Sequence, residues 1–517
     1  MVDYDKLYQH VPGNTPILVG SGQVVEREAA STSPMGLAGE AARRALVHAG
    51  GDELVAALAG AIDTIYVTRM FADSMGFRPC SFGRSDNPPL SVARAIDARP
   101  RHCIYGQAGG NEPQSRVIEF ARDIASGERS MVLLTGAEAM YNQRSAERAG
   151  QVLDWSESFE QTQFSTPLED RGWGDIPATH QEVSNGMFAP VTYYGLIEQA
   201  RASAAGLSAE QQRQSMARLL ASFAKVAADN PYAQFATTPD EAEILAAEPL
   251  NQMYTKRMIA HDSVNLGAAL LMCSVATARE LGIPSQHWVF LHGAADGLDV
   301  CLSEREDPAR SAVAEAVLDR AFAQAGKRID DIGPIDIYSC FPCAVTLVAE
   351  LLDLPTDGSR ALTLTGGLPY FGGPGNNYSM HGVAEMVSQL RQQPEAYGLV
   401  TAWGGMVSKC AAGIYSPQPS SVDWSVVDTR VDTSGMPRCA IAAAPDAGVI
   451  VSHVVNYRRG EPVQALILAE TGQGEHFVAT TAPGDDATVA TFLAADPRGR
   501  AVQVTALDGG ALNFTLA

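Results

Sequence analysis

Ile337-Tyr338-Ser339-Cys340-Phe341-Pro342 and Gly366-Gly367-Leu368-Pro369-Tyr370-Phe371-Gly372-Gly373-Pro374 are the two stretches from which the fold of this chain is read. The first closes a strand that begins near Asp336. Its Cys340-Phe341-Pro342-Cys343 has redox spacing, but no second pair completes a zinc site, so Cys343 reads as structural. The second is glycine-rich, yet Gly372-Gly373-Pro374-Gly375 lacks the lysine and the helix that a phosphate-cradling loop requires. Upstream stand Arg320-Ala321 and Ala325-Gly326, a helix with an Ala-Gly stop, then a short linker and the strand from Asp336 to Tyr338. The same order occurs earlier, in Arg44-Ala45, Ala49-Gly50 and Asp63 to Tyr66. One α/β unit used twice is the expectation.

Working outward, residues 15–140 alternate strands and helices. Pro16 to Gly20, Ile62 to Val67, Cys103 to Tyr105 and Met131 to Thr135 read as buried strands. Met35 to His48 and about Glu112 to Ser126 read as amphipathic helices. Apolar strands separated by such helices predict a parallel sheet covered on both faces. The segment from Tyr141 to Arg257, with Trp155, Trp173 and a helix over Ser208 to Ala228, is long enough to fold as a cap over the site. Ser416-Pro417-Gln418-Pro419-Ser420-Ser421 has linker composition. Beyond it, Gly448 to Val455, Val463 to Leu468, His476 to Thr481 and Ala501 to Ala506 are strand-length runs, which predict a small five- or six-stranded barrel. The expected units are 1–140, 141–257, 258–416 and 422–517.

Composition narrows the function. A chain of 517 residues, 46% hydrophobic and 19% charged, supports several packed cores. A net charge of -22 argues against a nucleic-acid partner, although a local basic pocket for a nucleotide stays open. Met1-Val2-Asp3-Tyr4-Asp5-Lys6 does not read as a signal peptide, and no run is long enough to span a membrane. Eight cysteines without dense spacing fit a cytoplasmic location. No His/Cys/Asp cluster has metal-ligand spacing.

Taken together, the duplicated halves, the central cap and a Gly-Gly-Leu turn leading to a Gly-x-Pro loop resemble the thiolase superfamily. Met131 to Met140 resembles its Gly-x-Glu-x-Met strand, and Asn230-Pro231-Tyr232-Ala233 its short cap motif. Asp262 to Ala269 resembles the start of its second half, and Gly404-Gly405-Met406 its late glycine loop. The resemblance covers residues 14–416. With its extra tail the chain is most similar to the thiolase-like proteins of type 1. The tail resembles the OB-fold partners of steroid-type acyl-CoA aldolases. The fold implied is α/β, a duplicated thiolase fold with a cap and a C-terminal all-β, OB-like barrel.

The resemblance also implies where catalytic groups would stand. The nucleophilic cysteine position falls at Gly109-Gly110, in Gln107-Ala108-Gly109-Gly110-Asn111. The Gly-His-Pro histidine position is Gly373, and the second cysteine position lies near Thr401-Ala402. None holds a cysteine or a histidine; Cys103 and Cys410 read as core. Thiolysis through an acyl-cysteine is therefore not expected. Gly109, Gly110, Asn111, Gly372, Gly373, Gly404 and Gly405 become candidates for close approach to a coenzyme A thioester, with no tightly bound cofactor. Tyr338, at the Asn/His position, and Tyr378 with His381 are the candidate acid–base groups. Two tyrosines on facing loops would suit retro-aldol cleavage of a β-hydroxyacyl-CoA; equally, Tyr338 could fill a vacated pocket, Tyr378 cap a loop and His381 cap a helix. The functions kept open are an acyl-CoA-processing enzyme of the acyltransferase superfamily, a CoA-thioester lyase and a non-catalytic acyl-CoA binding protein. A role for the barrel in binding oligonucleotides ranks below these, because 418–517 has few basic residues and no aromatic stripe. Monomer and homodimer both remain open.

Overall fold

The computed structural model describes residues 2–74, 79–159, 166–175 and 178–517. In chain order the strands of the main sheet are β1 (Pro16–Val25), β2 (Thr64–Val67), β3 (His102–Tyr105), β4 (Met131–Ala139), β5 (Leu168–Asp170), β6 (Asn265–Ser274), β7 (Val289–Leu298), β8 (Ile332–Asp336), β9 (Tyr397–Gly404), β10 (Lys409–Ser416) and β11 (Arg430–Val431). Their spatial order is β5-β3-β2-β4-β6-β1-β7-β10-β9-β8, with β11 beside β7. The run β2-β4-β6-β1 is mirrored by β8-β9-β10-β7. Each run makes one parallel pairing and then two antiparallel ones. The two runs join where β1 meets β7 antiparallel, at Ile17↔Phe290 and Leu18↔Val289. The echo between Asp63 and Asp336 is thus a repeat of topology.

The sheet is mixed, not parallel as the alternation predicted. Strands covered on both faces are apolar throughout, so their side chains carry no mark of direction.

Helix-on-sheet packing repeats as well. A Cβ added to Gly20 or Gly22 of β1 would overlap the carbonyl oxygens of Ala45 and Ala41 in the helix Pro34–Gly50. One added to Gly293 of β7 would overlap the Ala321 carbonyl in the helix Ala312–Ala325. The helices Glu112–Ser126 and Tyr378–Leu390 form a middle layer. Val117, Phe120 and Ile124 of the first and Met380, Val383 and Val387 of the second share one apolar cluster with Leu18, Leu134, Leu270 and Leu291. The start of each middle helix is the position the resemblance marks as functional.

In the cap, the helices Pro190–Ala204 and Ala209–Asp229 are packed on the second half. Ser208 caps the latter in a capping box with Gln211. The tail is a closed barrel of β12 (Ala447–Arg458), β13 (Glu461–Glu470), β14 (His476–Thr481), β15 (Ala501–Ala506) and β16 (Leu512–Leu516), in the order β12-β13-β14-β16-β15. A helix, Asp486–Ala494, lies between β14 and β15 and puts Phe492 in the barrel core.

The barrel sits on the cap. Ser452 Oγ donates to the Leu196 carbonyl at 2.8 Å, and the Gln252 N–H to the Val455 carbonyl at 2.9 Å. The segment read as a linker is strapped to the sheet. Tyr8 Oη donates to the Pro417 carbonyl at 2.6 Å, His292 Nε2 lies 2.8 Å from the Gln418 carbonyl, and the buried Trp424 donates to the Leu291 carbonyl at 3.2 Å.

Candidate functional site

Gln107 to Asn111 turn the chain from β3 into the first middle helix. Gly109, at φ 145°, takes a conformation that other residues rarely adopt. Its N–H donates to Asn376 Oδ1 at 2.9 Å, while Asn376 Nδ2 donates to the Arg69 carbonyl and to Ser74 Oγ, both at 2.8 Å. A Cβ on Gly110 would overlap the Tyr338 hydroxyl and stand 2.6 Å from the Trp403 carbonyl oxygen. Gly404 lets the Asn111 side chain in: a Cβ there would overlap Asn111 Oδ1. Asn111 Oδ1 is buried with no hydrogen-bond partner among the described residues, and Asn111 Nδ2 donates to Ser115 Oγ at 3.2 Å. Gly109, Gly110, Asn111 and Gly404 therefore form one cradle with Tyr338. Gly405 continues it into the turn before β10, where Ser408 Oγ donates to the Gly405 carbonyl. Gly372 and Gly373 pack toward the cap side. The Gly373 N–H donates to the His261 carbonyl at 2.9 Å, and a Cβ on Gly372 would stand 2.8 Å from Val264.

The two tyrosines meet. Their ring centroids are 5.3 Å apart and nearly perpendicular. Tyr378 is fully buried at the start of its helix, with its hydroxyl 2.5 Å from Thr365 Oγ1. Thr365 leads to Asp336, a carboxylate that sequence reading used only as a strand marker. Asp336 Oδ1 accepts from the Leu364 N–H at 2.7 Å and from Thr363 Oγ1 at 2.9 Å. Burial pushes Asp336 up to about 6 against those hydrogen bonds. Burial also raises both tyrosine hydroxyls well above their usual range. His381 lies inside the helix and not at its cap. Its Nδ1 is 2.7 Å from Gln23 Oε1, and its buried Nε2 has no partner among the described residues. Burial lowers His381 to about 3, so it is neutral at physiological pH.

Aromatic residues of the cap close the space above Cys340. Tyr194 stacks on Phe341 with centroids 4.0 Å apart, and its hydroxyl lies 3.2 Å from Cys340 Sγ. Cys340 and Cys343 are buried, with thiols raised by burial. Cys103 and Cys410 are buried core residues, as read. Among the described residues no group of His, Cys, Asp and Glu could hold a metal, and no helix is long and apolar enough to cross a membrane.

A cavity of about 400 Å³ opens beside this region, lined by Met35, Phe71, Glu138 and Trp155 among others. It adjoins the cradle through the Gly375-Asn376 turn, since a Cβ on Gly375 would overlap Glu138 Oε1. Sequence reading took Glu138 only as part of a strand motif.

The fold has close counterparts of known structure. A crystal structure of a monomeric SCP2-thiolase-like protein type 1 from Mycobacterium smegmatis is 35% identical, with 98% of this chain and 100% of that chain covered and a TM-score of 0.82. The chain belongs to the thiolase superfamily. Two further solved structures each match over 78% of this chain. The Ltp2-ChsH2(DUF35) aldolase is 18% identical, covering 78% of this chain and 98% of that chain, with a TM-score of 0.57. Human mitochondrial 3-ketoacyl-CoA thiolase in complex with CoA is 14% identical, covering 78% and 99%, with a TM-score of 0.53. At such identities these two neighbours speak for the fold alone. No family model matches this thiolase-like chain, and a search of curated proteins found no match.

Proposed function

We propose that this thiolase-like protein binds CoA thioesters and does not carry out thiolysis. The observation that supports it is the filled nucleophile position. Where the resemblance puts a cysteine, at Gly109-Gly110, neither residue has a side chain: a Cβ on Gly109 would overlap Asn111 Oδ1, and one on Gly110 the Tyr338 hydroxyl. The tyrosines and His381 are buried in their neutral forms, and Gly373 supplies no imidazole. What remains is a glycine cradle with the buried Asn111 Oδ1, an acceptor without a partner among the described residues. The ligand class rests on the superfamily, in which the human thiolase structure is a complex with CoA. Its eight free cysteines suit a reducing, cytoplasmic setting. Titration calorimetry with CoA and acetyl-CoA is expected to show binding, while acetoacetyl-CoA thiolysis stays at background. Thiolytic turnover, or no heat with either ligand, defeats the proposal.

A second reading is retro-aldol cleavage of a β-hydroxyacyl-CoA. It draws on the contact between Tyr338 and Tyr378 and on the run from Tyr378 through Thr365 to Asp336. This reading needs Tyr338 as phenolate to take the hydroxyl proton. The carbon–carbon bonding pair passes into the thioester as an enolate, which then takes that proton from Tyr338, and the burial that raises the Tyr338 hydroxyl works against the step. Product analysis with such substrates separates the readings. Cleavage that falls roughly a hundredfold in Tyr338→Phe with CoA affinity intact would put the lyase first.

A further inference from the structure

The cavity beside Glu138 has a chemistry unlike that of the glycine cradle. Its volume of about 400 Å³ is in the range of small-molecule sites. Met35, Phe71 and Trp155 give it apolar and aromatic walls. Glu138 is 3% exposed. One carboxyl oxygen accepts from the Phe71 N–H at 2.6 Å, and the other has no donor among the described residues. Among the described residues the surrounding charges do not balance. Arg84 pairs with Asp73 at 2.9 Å and Arg144 with Asp262 at 2.7 Å, so both guanidinium groups are taken. Glu147 is held by the Ser81 hydroxyl and the Gln143 amide. Among the described residues Glu138 has no cation partner in this apolar wall, and burial, with Asp73 and Asp262 nearby, pushes it up to about 8. Cys80 stands in the same wall with its thiol raised by burial, which makes it a poor nucleophile.

We propose that this cavity binds an organic cation, an ammonium group on an apolar body, seated against Glu138. A buried carboxylate is costly without a partner, and an ammonium supplies both the opposite charge and N–H donors for the free oxygen. Aromatic rings in the lining, those of Phe71 and Trp155, suit a cation and its hydrocarbon. On binding, the Glu138 carboxylic acid gives its proton to solvent, and the ammonium N–H donates to the carboxylate formed. The surplus of carboxylates among the described residues disfavours anions such as the phosphates of CoA, so this site and the CoA proposal stand or fall separately.

Calorimetry on the full chain at about pH 7 tests this with 4-phenylbutylammonium, the neutral 4-phenylbutanol and the anion 4-phenylbutyrate. The amine is expected to bind roughly tenfold or more tighter than the alcohol, and the butyrate not at all. Repeating the amine titration in two buffers of different ionisation enthalpy is expected to show release of most of one proton. Glu138→Gln keeps the size and the acceptor for Phe71; it is expected to lose roughly tenfold in amine affinity together with the proton release. If that variant does not fold, the amine–alcohol comparison and the proton count on the native chain decide. Equal affinity for the alcohol, amine binding without proton release, or no amine binding at all overturns the proposal.

Discussion

At Gly110 the room a side chain would take is held by the Tyr338 hydroxyl and the Trp403 carbonyl. Gly110→Ala is therefore expected to lose about 1–3 kcal/mol of stability, the scale of overpacking, read as a lower denaturant midpoint with an unchanged slope. A fully stable variant would show that the cradle has slack. His381 permits a cleaner test. Its folded pKa of about 3 lies below the unfolded value, so below pH 6.5 the unfolded chain takes up a proton that the folded chain cannot. Its stabilising term is whole above that pH and shrinks as pH falls. The advantage of wild type over His381→Gln should drop by up to about 1.4 kcal/mol per pH unit below 6.5; an advantage that stays flat would mean the imidazole is solvated. Tyr338, Tyr378 and His381 could be named as candidates from the sequence because a recognised loop marks their positions. Asp336 and Glu138 could not. Each is a lone carboxylate in an apolar run, and only the tertiary fold decides whether such a group faces water or is enclosed.

At the level of elements, strand and helix identities followed from hydrophobic period, and the repeat of Arg44-Ala45 in Arg320-Ala321 marked the duplication. Strand direction did not follow, because fully buried strands look alike either way. The short β5 was also missed, since three residues carry no period. It lies along β3 at Cys103↔Leu168, Ile104↔Glu169 and Tyr105↔Asp170, on the outer edge of the first half. Arg171 anchors it through Glu119 at 2.8 Å, and Arg69 pairs with Asp170. β5 is itself the edge that remains, and at three residues it offers little template to a second chain. Light scattering is expected to give a monomer at micromolar concentrations. Replacing residues 168–170 by Gly-Ser-Gly should uncover β3 and produce larger species; a wild-type dimer would show that association uses another surface.

For the whole molecule, the proposed units 1–140, 141–257, 258–416 and 422–517 remain to be tested by proteolysis. Composition put the first cut at Pro417 to Ser421. The hydrogen bonds from Tyr8 and His292 and the buried Trp424 move that expectation. The run from Asp432 to Ala440 is the more exposed connection to the barrel. A broad-specificity protease should cut there first; early cleavage at Pro417 to Ser421 would mean the strap is loose in solution. Removing the barrel would also bare the Gly195 and Leu196 side of the cap helix, which Ser452 and Val454 cover. The edge strand β5 has a consequence of its own in mass action. When a partner subunit seals a sheet edge, dilution unseals it and folding becomes bimolecular. A strand tethered in the same chain is present at an effective concentration that dilution cannot change. The thermal midpoint of this protein should therefore be the same across a hundredfold range of protein concentration, and its refolding first-order.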